Sequence, residues 1–599
     1  MMMTTVSTGG RRTRLQRMPV VWSVGTLLAI TFAATALVLW DKGHQNIIHK
    51  TDSFTTKSPK VSFGGLIAVP DEHNQLKLVP TSFDPEEYSE NTFSDETCTP
   101  HGVHLAQATD IDDDTETLTV TISFFVHRKC RDVRPCVLYG QQENPKQGQA
   151  CSSVERALHF NYTSDATDGQ AWSSDWIYHI RISNIRGGGL QYWYRLVLAA
   201  NEADDDEEED KENSISSEEA HDQAFFLRGK SFFVEPSASN RNMAQRQTRY
   251  GQRILGHTRR YLFRSPPLKG QPTMLALVGD IGQTENSSIT ARHIWQAVHQ
   301  DEHPVTQLMI AGDMPYSHSN PYRWKSFFKI HEPLLRSTLL HVETGNHEIE
   351  CDTRNLNVFT MYEHFFRVPN RLKPAEMMPI SDEYRKTLWD GKCSAPSVFH
   401  ARYNYGNSFY AYKHGLAKFI MLNTYTDSRP GSPQYHFLQQ ELQATQRTRT
   451  DTPWLIVVFH APIYNTFIDH QNEANSIRMR EHLEPLFFKY QVNFIVSGHV
   501  HAYMRTHPVY NDTVVPEAPI YLTLGAGGNE EGHAQGFVNP QKEPWVAKRD
   551  ISEFGYGKMF LRNATHARFS WVRDDETITM GVHDEVWLEN QYKNDLMAA

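Results

Sequence analysis

The chain is 599 residues long, 39% hydrophobic and 11% aromatic, with a formal net charge of −11 and a mean hydropathy of −0.54. Such a length exceeds what one hydrophobic core organises and implies roughly three or four units, while the negative hydropathy excludes a multi-span membrane protein. Much of the negative charge sits in one run, Glu202 to Glu212, unbroken from Asp204 to Asp210; elsewhere acids and bases balance, so composition points to no nucleic-acid partner.

Residues 1–19 read as a basic cytosolic tail, with Arg11, Arg12, Arg14 and Arg17 and no acid. From Val20 to Trp40 no charge interrupts 21 residues, which at ~1.5 Å each span about 31 Å, the thickness of a bilayer core. Trp22 and Trp40 stand near its ends, and the positive-inside rule leaves the bulk of the chain in the lumen or outside. The alternative is a cleaved signal peptide, because Ala34-Thr35-Ala36 has the small-x-small form of a cleavage site. The expectation is a single-pass membrane protein held through residues 20–40, or a secreted one if that segment is removed. Both lie on the secretory route. Two further features agree with it: the Asn-x-Ser/Thr glycosylation candidates at Asn161, Asn286, Asn511 and Asn563, and an even set of six cysteines. None of Cys98, Cys130, Cys136, Cys151, Cys351 and Cys393 has zinc-ribbon spacing. Fifteen pairings are open to six cysteines; the expectation keeps pairing local, Cys351 with Cys393 and the first four among themselves.

Residues 41–95 are polar and poorly periodic and read as a stalk. From 96 to 240 the pattern alternates, at Thr117–Phe125, Trp176–Ile182, Tyr192–Ala199 and Phe225–Val234, which predicts strands of an all-β sandwich. The acidic segment 202–220 reads as a solvated insertion between two of them. A linker is expected over 241–270. From 271 to 585 strand, loop and helix follow one another: strands at Met274–Val278, Gln307–Ala311 and Leu339–Val342, with helices at Ser287–His299 and Pro321–Arg336 between them. Further strands are predicted at Phe409–Tyr412, Ala417–Leu422, Trp454–Phe459, Val492–Val496 and Ile520–Leu524, and helices at Pro433–Thr445 and Ala474–Tyr490. This grammar implies βαβ units and mixed sheets flanked by helices. Residues 586–599 are left as a tail.

Five blocks stand where these strands end: Gly279-Asp280-Ile281-Gly282, Gly312-Asp313-Met314-Pro315-Tyr316, Gly345-Asn346-His347-Glu348, Val457-Val458-Phe459-His460 and Gly498-His499-Val500-His501. Loops at the carboxyl ends of α/β strands are where ligands gather. Asp280 and Asp313 offer anionic oxygen, Asn346 a neutral one, Tyr316 a phenolate, and His460, His499 and His501 imidazoles, a mixture that suits iron, manganese or zinc. Each block alone is an ordinary turn or a stray histidine; five in order, each with suitable donors, are not. Elsewhere, His331, His341, His364, His400 and His436 read as core or surface residues, and Gly187-Gly188-Gly189 as a strand connection, because no Lys-Ser/Thr follows it.

In this order Gly-Asp-x-Gly, Gly-Asp-x-x-Tyr, Gly-Asn-His, Val-x-x-His and Gly-His-x-His resemble the purple acid phosphatases, with Tyr316 discriminating them within the wider metallophosphoesterases. Gly282-Gln283-Thr284, Gly525-Ala526-Gly527-Gly528 and the stretch from Asn563 to Ala567 with Trp571 are further echoes. The resemblance covers roughly residues 95–580. It implies an α/β metallophosphoesterase sandwich preceded, as in the plant-type members, by a fibronectin type III-like domain. It implies that Asp313 bridges two ions, that Asp280, Tyr316 and His501 complete an Fe(III) site, and that Asn346, His460 and His499 hold a divalent Zn, Mn or Fe.

Two metals so held clamp phosphate, and a bridging or terminal hydroxide attacks in line without a covalent phosphoenzyme. His347, beside Asn346, is expected to bind phosphate or protonate the leaving alcohol. His470 lies in Tyr464-Asn465-Thr466-Phe467-Ile468-Asp469-His470, which resembles the family's substrate loop; Asp469 stands where plant members often show a second histidine. Met504 stands where a glutamate is usual, and altered packing without loss of metal is expected. The expected activity is an acid phosphatase acting on phosphorylated small molecules. A phosphodiesterase or nucleotide pyrophosphatase on the same frame is one alternative; an inert adhesion or recognition glycoprotein is another.

Overall fold

The computed structural model describes residues 66–70, 76–80, 98–130, 133–142, 147–152, 156–164, 167, 169–200, 254–350, 352, 358–369, 406–574 and 581–592. The segment at 20–40, the acidic run, Phe225–Val234, Cys351 and Cys393 lie outside them; among the described residues no helix is long and apolar enough to cross a membrane. In the stretch read as a stalk, Leu66–Pro70 and Leu76–Pro80 pair antiparallel.

The N-terminal part consists of β1 (His101–Gln107), β2 (Thr117–Val126), β3 (Val133–Gln141), β4 (Gln147–Cys151), β5 (Trp176–Arg186), β6 (Gln191–Ala200), β7 (Ile254–His257) and β8 (Tyr261–Arg264). β1, β2 and β5 form one antiparallel layer. β4, β3, β6, β7 and β8 form the other, so part of the stretch read as a linker is built into a sheet. The period-two alternation explains the sandwich: Leu118, Val120, Ile122 and Phe124 from one sheet meet Leu196, Leu198, Tyr194 and Val137 from the other in a single buried cluster. Disulfides join Cys98 to Cys130 and Cys136 to Cys151, so the first four cysteines do pair among themselves. Gly187 to Gly189 carry the chain from one sheet to the other, with Gly188 N–H donating to the Pro266 carbonyl at 2.7 Å.

The C-terminal part adds β9 (Thr273–Val278), α1 (Glu285–His299), β10 (Gln307–Ala311), α2 (Pro321–Leu335), β11 (Leu339–Glu343), β12 (Tyr410–His414), β13 (Ala417–Met421), α3 (Pro433–Arg447), β14 (Trp454–Val458), α4 (Ala474–Lys489), β15 (Phe494–Ser497), β16 (Tyr503–Thr506), β17 (Ile520–Leu524), β18 (Val546–Asp550), β19 (Gly555–Leu561), β20 (His566–Arg573) and β21 (Gly581–Glu589). One sheet runs β21-β20-β19-β9-β10-β11-β1-β2-β5, the other β12-β13-β14-β15-β17-β16-β18. The first of these is continuous with the N-terminal sandwich, because β11 pairs in parallel with β1 at Leu339 and Leu105.

Both sheets are buried on two faces, which is why their central strands read as unbroken apolar runs. On β9, Met274, Ala276 and Val278 face one cluster with Ile294 and Val298 of α1 and Trp324 and Phe327 of α2. Leu275 and Leu277 point the other way, against Trp454, Ile456 and Val458 of β14 between the sheets. Leu455 and Val457 then face Leu438 and Leu442 of α3 and Leu483 and Phe487 of α4. The layers are therefore helix, sheet, sheet, helix. Thr284, Asn320 and Ser432 cap α1, α2 and α3 by accepting a backbone N–H, and Pro321 and Pro433 open the last two.

Candidate metal centre

β9, β10 and β11 are mutually parallel, as are β14, β15 and β17. The loops at the carboxyl ends of both sets converge, and every donor named from the sequence sits on them. Asp280, Asp313, Tyr316 and His499 have φ of 55°, 52°, 48° and 67°, a left-handed conformation that costs of order 1–3 kcal/mol apiece and persists only where surroundings enforce it. Four strained residues in one pocket, each offering a metal-binding atom, mark a functional site.

The turns permit close approach. Gly312 has φ of 84°, and a Cβ on it would collide with the His460 ring; a Cβ on Gly345 would collide with the Asp313 carboxylate. Glu348 fixes both loops: its Oε2 accepts from Asp313 N–H at 2.9 Å and Gly345 N–H at 2.7 Å, and its Oε1 from Met314 N–H at 2.8 Å. Burial and the neighbouring Asp313 charge raise its carboxyl, against the pull of those N–H groups.

Two groups of donors result. In the first, Tyr316 Oη lies 3.1 Å from Asp280 Oδ1 and 3.0 Å from His501 Nε2, which is itself 3.6 Å from that Oδ1. In the second, His460 Nε2 lies 3.0 Å from Asp313 Oδ2 and 3.1 Å from Asn346 Oδ1. His499 joins them: it, Asp313 and His460 can place ligand atoms within 4.8 Å of one another. His460 Nε2 and Asp280 Oδ1, 4.0 Å apart, connect the groups.

The protonation pattern fits cations. His460 Nδ1 donates to the Ala311 carbonyl at 2.7 Å, so in the neutral ring Nε2 turns a lone pair toward two oxygen acceptors. Burial lowers this imidazole, but Asp313 and Asp280 together raise it to about 10. Tyr316 is fully buried; desolvation, Asp280 and Asp313 raise its phenol well above 10, so only a highly charged ion would draw out its proton. His499 spends Nε2 on Glu473 Oε2 at 2.8 Å, which leaves Nδ1 as the ring atom available to an ion.

His347 enters the same pocket. Its backbone N–H donates to Asp313 Oδ1 at 2.8 Å, its ring lies 4.2 Å from that of Tyr316, and Nε2 is 4.0 Å from Asp313 Oδ2. His470 stacks on His499 with ring centroids 3.9 Å apart, and its Nδ1 meets Glu473 Oε1 at 2.7 Å. Asp469 turns aside, its Oδ2 accepting from Gln535 N–H at 2.7 Å. Met504 is fully buried, with its sulfur 3.5 Å from Thr466 Oγ1. His331 and His341 are buried core residues, while His400 lies outside the described residues. The side chains of Asn161, Asn286, Asn511 and Asn563 are exposed.

Four residues at the site carried no signal that the sequence reading used. Glu348, three positions after Gly345, has the spacing of a capping box. Glu473 and Tyr425, whose hydroxyl donates to Asn346 Oδ1 at 3.1 Å, come from loops with no motif, and Glu531 lies three residues past Gly525-Ala526-Gly527-Gly528.

Comparison with known proteins places the chain among metallophosphoesterases. Residues 274–503 match the family described as calcineurin-like phosphoesterase, and 518–585 the family described as iron/zinc purple acid phosphatase-like protein C. A probable purple acid phosphatase of Arabidopsis thaliana is 32% identical over 332 residues, covering 55% of this chain and 68% of the relative. An Fe(3+)-Zn(2+) purple acid phosphatase of the same plant is 30% identical over 354 residues, covering 56% and 67%. A purple acid phosphatase from seeds of yellow lupin (Lupinus luteus) superposes with a TM-score of 0.58 at 18% identity, covering 88% of this chain and 79% of that one. The last shows a shared fold.

Proposed function

The chain belongs to the purple acid phosphatase family, a metal-dependent acid phosphatase on an Fe(III)–divalent centre, and from that premise we propose the residues that carry the activity. Asp280, Tyr316 and His501 would hold the ferric ion, Asn346, His460 and His499 the divalent ion, and Asp313 would serve both. The supporting observation is the convergence of these donor atoms, four of them on strained backbone. Bound there, the two metals supply Lewis acidity toward phosphate and lower the pKa of an attacking water.

The chain's own residues do the rest. Glu348 fixes the loops of Asp313 and Asn346, and Glu473 orients the rings of His499 and His470. His347 Nε2–H reaches toward the phosphate oxygens, and its proton passes to the oxygen of the departing alcohol; His470, at the edge, is the alternative donor. Asp469, engaged by Gln535 N–H, fastens the substrate loop without facing phosphate. Substrates are phosphate monoesters of small molecules.

Asp313→Asn in the metal-loaded protein tests this assignment. Hydrolysis of a nitrophenyl phosphate monoester is expected to fall by at least about 10³-fold with loss of bound metal; retained metal and turnover contradict it. Comparing the monoester with its bis-ester separates a phosphatase from a phosphodiesterase.

The N-terminal sandwich serves as the fibronectin type III-like domain of the plant-type members, and residues 20–40 anchor the protein in a membrane with the site outside the cytosol. The disulfides support a secretory route. A mature chain whose mass shows it starting near Leu37 removes the anchor.

A further inference from the structure

We infer that the mouth of this site selects phosphate monoesters with a cationic or neutral leaving group over those bearing a second anion, with Glu531 as the selecting residue. The inference rests on the phosphatase reading. Phosphate held among the donors and His347 must direct its ester oxygen outward, so the leaving group lies against whatever lines the solvent side.

Glu531 stands there. Its Oε1 is 3.7 Å from His347 Nε2 and its Oε2 is 3.9 Å from His501 Nε2, and its side chain is 45% exposed against 16% and 11% for those two. The carboxylate is thus the outermost of the three groups. Among the described residues, the neighbouring acids Glu530, Glu473 and Asp469 are engaged by closer partners. Glu530 is gripped by both terminal nitrogens of Arg323 and by His318 Nε2 at 2.7 Å. Glu473 is shared by His470 and His499, and Asp469 by Gln535 N–H. Among the described residues, Arg323 is spent on Glu530 and does not answer a second anion on the substrate.

The loop that leads to His470 and the segment bonded to it expose two apolar side chains. Ile468 is 51% exposed and Val538 57% exposed. They are tied by Ile468 N–H to the Gly536 carbonyl and Val538 N–H to the Thr466 carbonyl, both 3.0 Å. A leaving group directed outward past His347 and His501 therefore meets the Glu531 carboxylate. An alkylammonium complements it; a carboxylate or second phosphate meets like charge. A unit charge about 6 Å from another changes an equilibrium roughly threefold when fully screened by water and up to about a hundredfold at a partly dry surface, so about tenfold is expected.

The test compares kcat/KM for phosphoethanolamine, ethyl phosphate and 2-phosphoglycolate, which share a two-carbon leaving group and differ in its charge. The wild type, Glu531→Gln and Glu517→Gln are assayed metal-loaded, with metal content measured in each preparation. Glu517 is exposed and precedes β17, away from the strand ends that carry the site. In Glu531→Gln the cation-to-anion ratio of kcat/KM is expected to fall about tenfold, and in Glu517→Gln to stay at the wild-type value. In the wild type the ratio falls severalfold on raising salt from low to about 0.5 M. A Glu531→Gln ratio within about twofold of wild type, with both metals bound, overturns the inference and leaves the phosphatase reading standing. Metal-loaded wild type that turns over none of the three overturns both.

Discussion

Glu348 holds the site together by a route that metal chemistry alone would not reveal. It is fully buried and accepts three backbone N–H groups from two donor loops, and each donor left without a partner costs about 1–3 kcal/mol. Glu348→Ala is expected to lower stability by about 3–5 kcal/mol in urea unfolding, and Glu348→Gln by less, because the amide oxygen still accepts; equal stability of Glu348→Ala and wild type contradicts the role. At His347, substitution by Gln should cut kcat about a hundredfold while both metals stay bound. Metal loss in that variant would place His347 among the ligands instead. The seven donors were legible in the sequence because each ends an apolar strand and has a chemically distinctive side chain. Glu473 and Glu531 were not, since a carboxylate in a polar loop looks like any solvated one. Asp469 shows the reverse: in sequence it is a charge misplaced beside phosphate, and in space it caps Gln535.

Helix α2 is tied to the first metal loop by His331, whose Nε2 donates to the Gly282 carbonyl at 2.9 Å from a fully buried position. Burial lowers its imidazole to about 4, with the Gly282 bond opposing. The unfolded chain, with an ordinary histidine pKa of about 6.5, then binds more protons than the folded one. His331 therefore leaves full stability above about pH 6.5 and removes it as pH falls toward 4, by about 2 kcal/mol at pH 5. His331→Gln is expected to flatten the pH dependence of urea stability between pH 7 and 5 by that amount; an unchanged slope contradicts a neutral, buried His331. From β9 to β17 the elements that were predicted agree with the observed ones within two residues at their ends, because strands buried on both faces and helices with one buried stripe carry the strongest patterns. β16 and the strands from β18 to β21 went unassigned. Gly555 and Gly557 thin out β19, and β20 alternates Ala567, Phe569 and Trp571 toward the inter-sheet core in a stretch noted for its resemblance alone.

At the scale of the molecule, one sheet runs from the C-terminal strand β21 through the metal loops and into the N-terminal sandwich. Sequence could not show this, because the junction is a single parallel register between Leu105 and Leu339, far apart in the chain and in no motif. The sandwich is braced by the disulfide from Cys98 to Cys130, closing a separation of 32 residues. A loop of that size is worth about 3–4 kcal/mol of unfolded-state entropy, and the double variant Cys98→Ser, Cys130→Ser should lose about that much on thermal unfolding; no loss contradicts the bracing role. The central claim is that this fold brings Tyr316 to a ferric ion. The direct test is the visible spectrum and iron content of the intact, metal-loaded protein beside Tyr316→Phe. An iron-containing wild type with a broad visible band that disappears in Tyr316→Phe is expected. Active wild type without iron, or a band that survives in Tyr316→Phe, contradicts it.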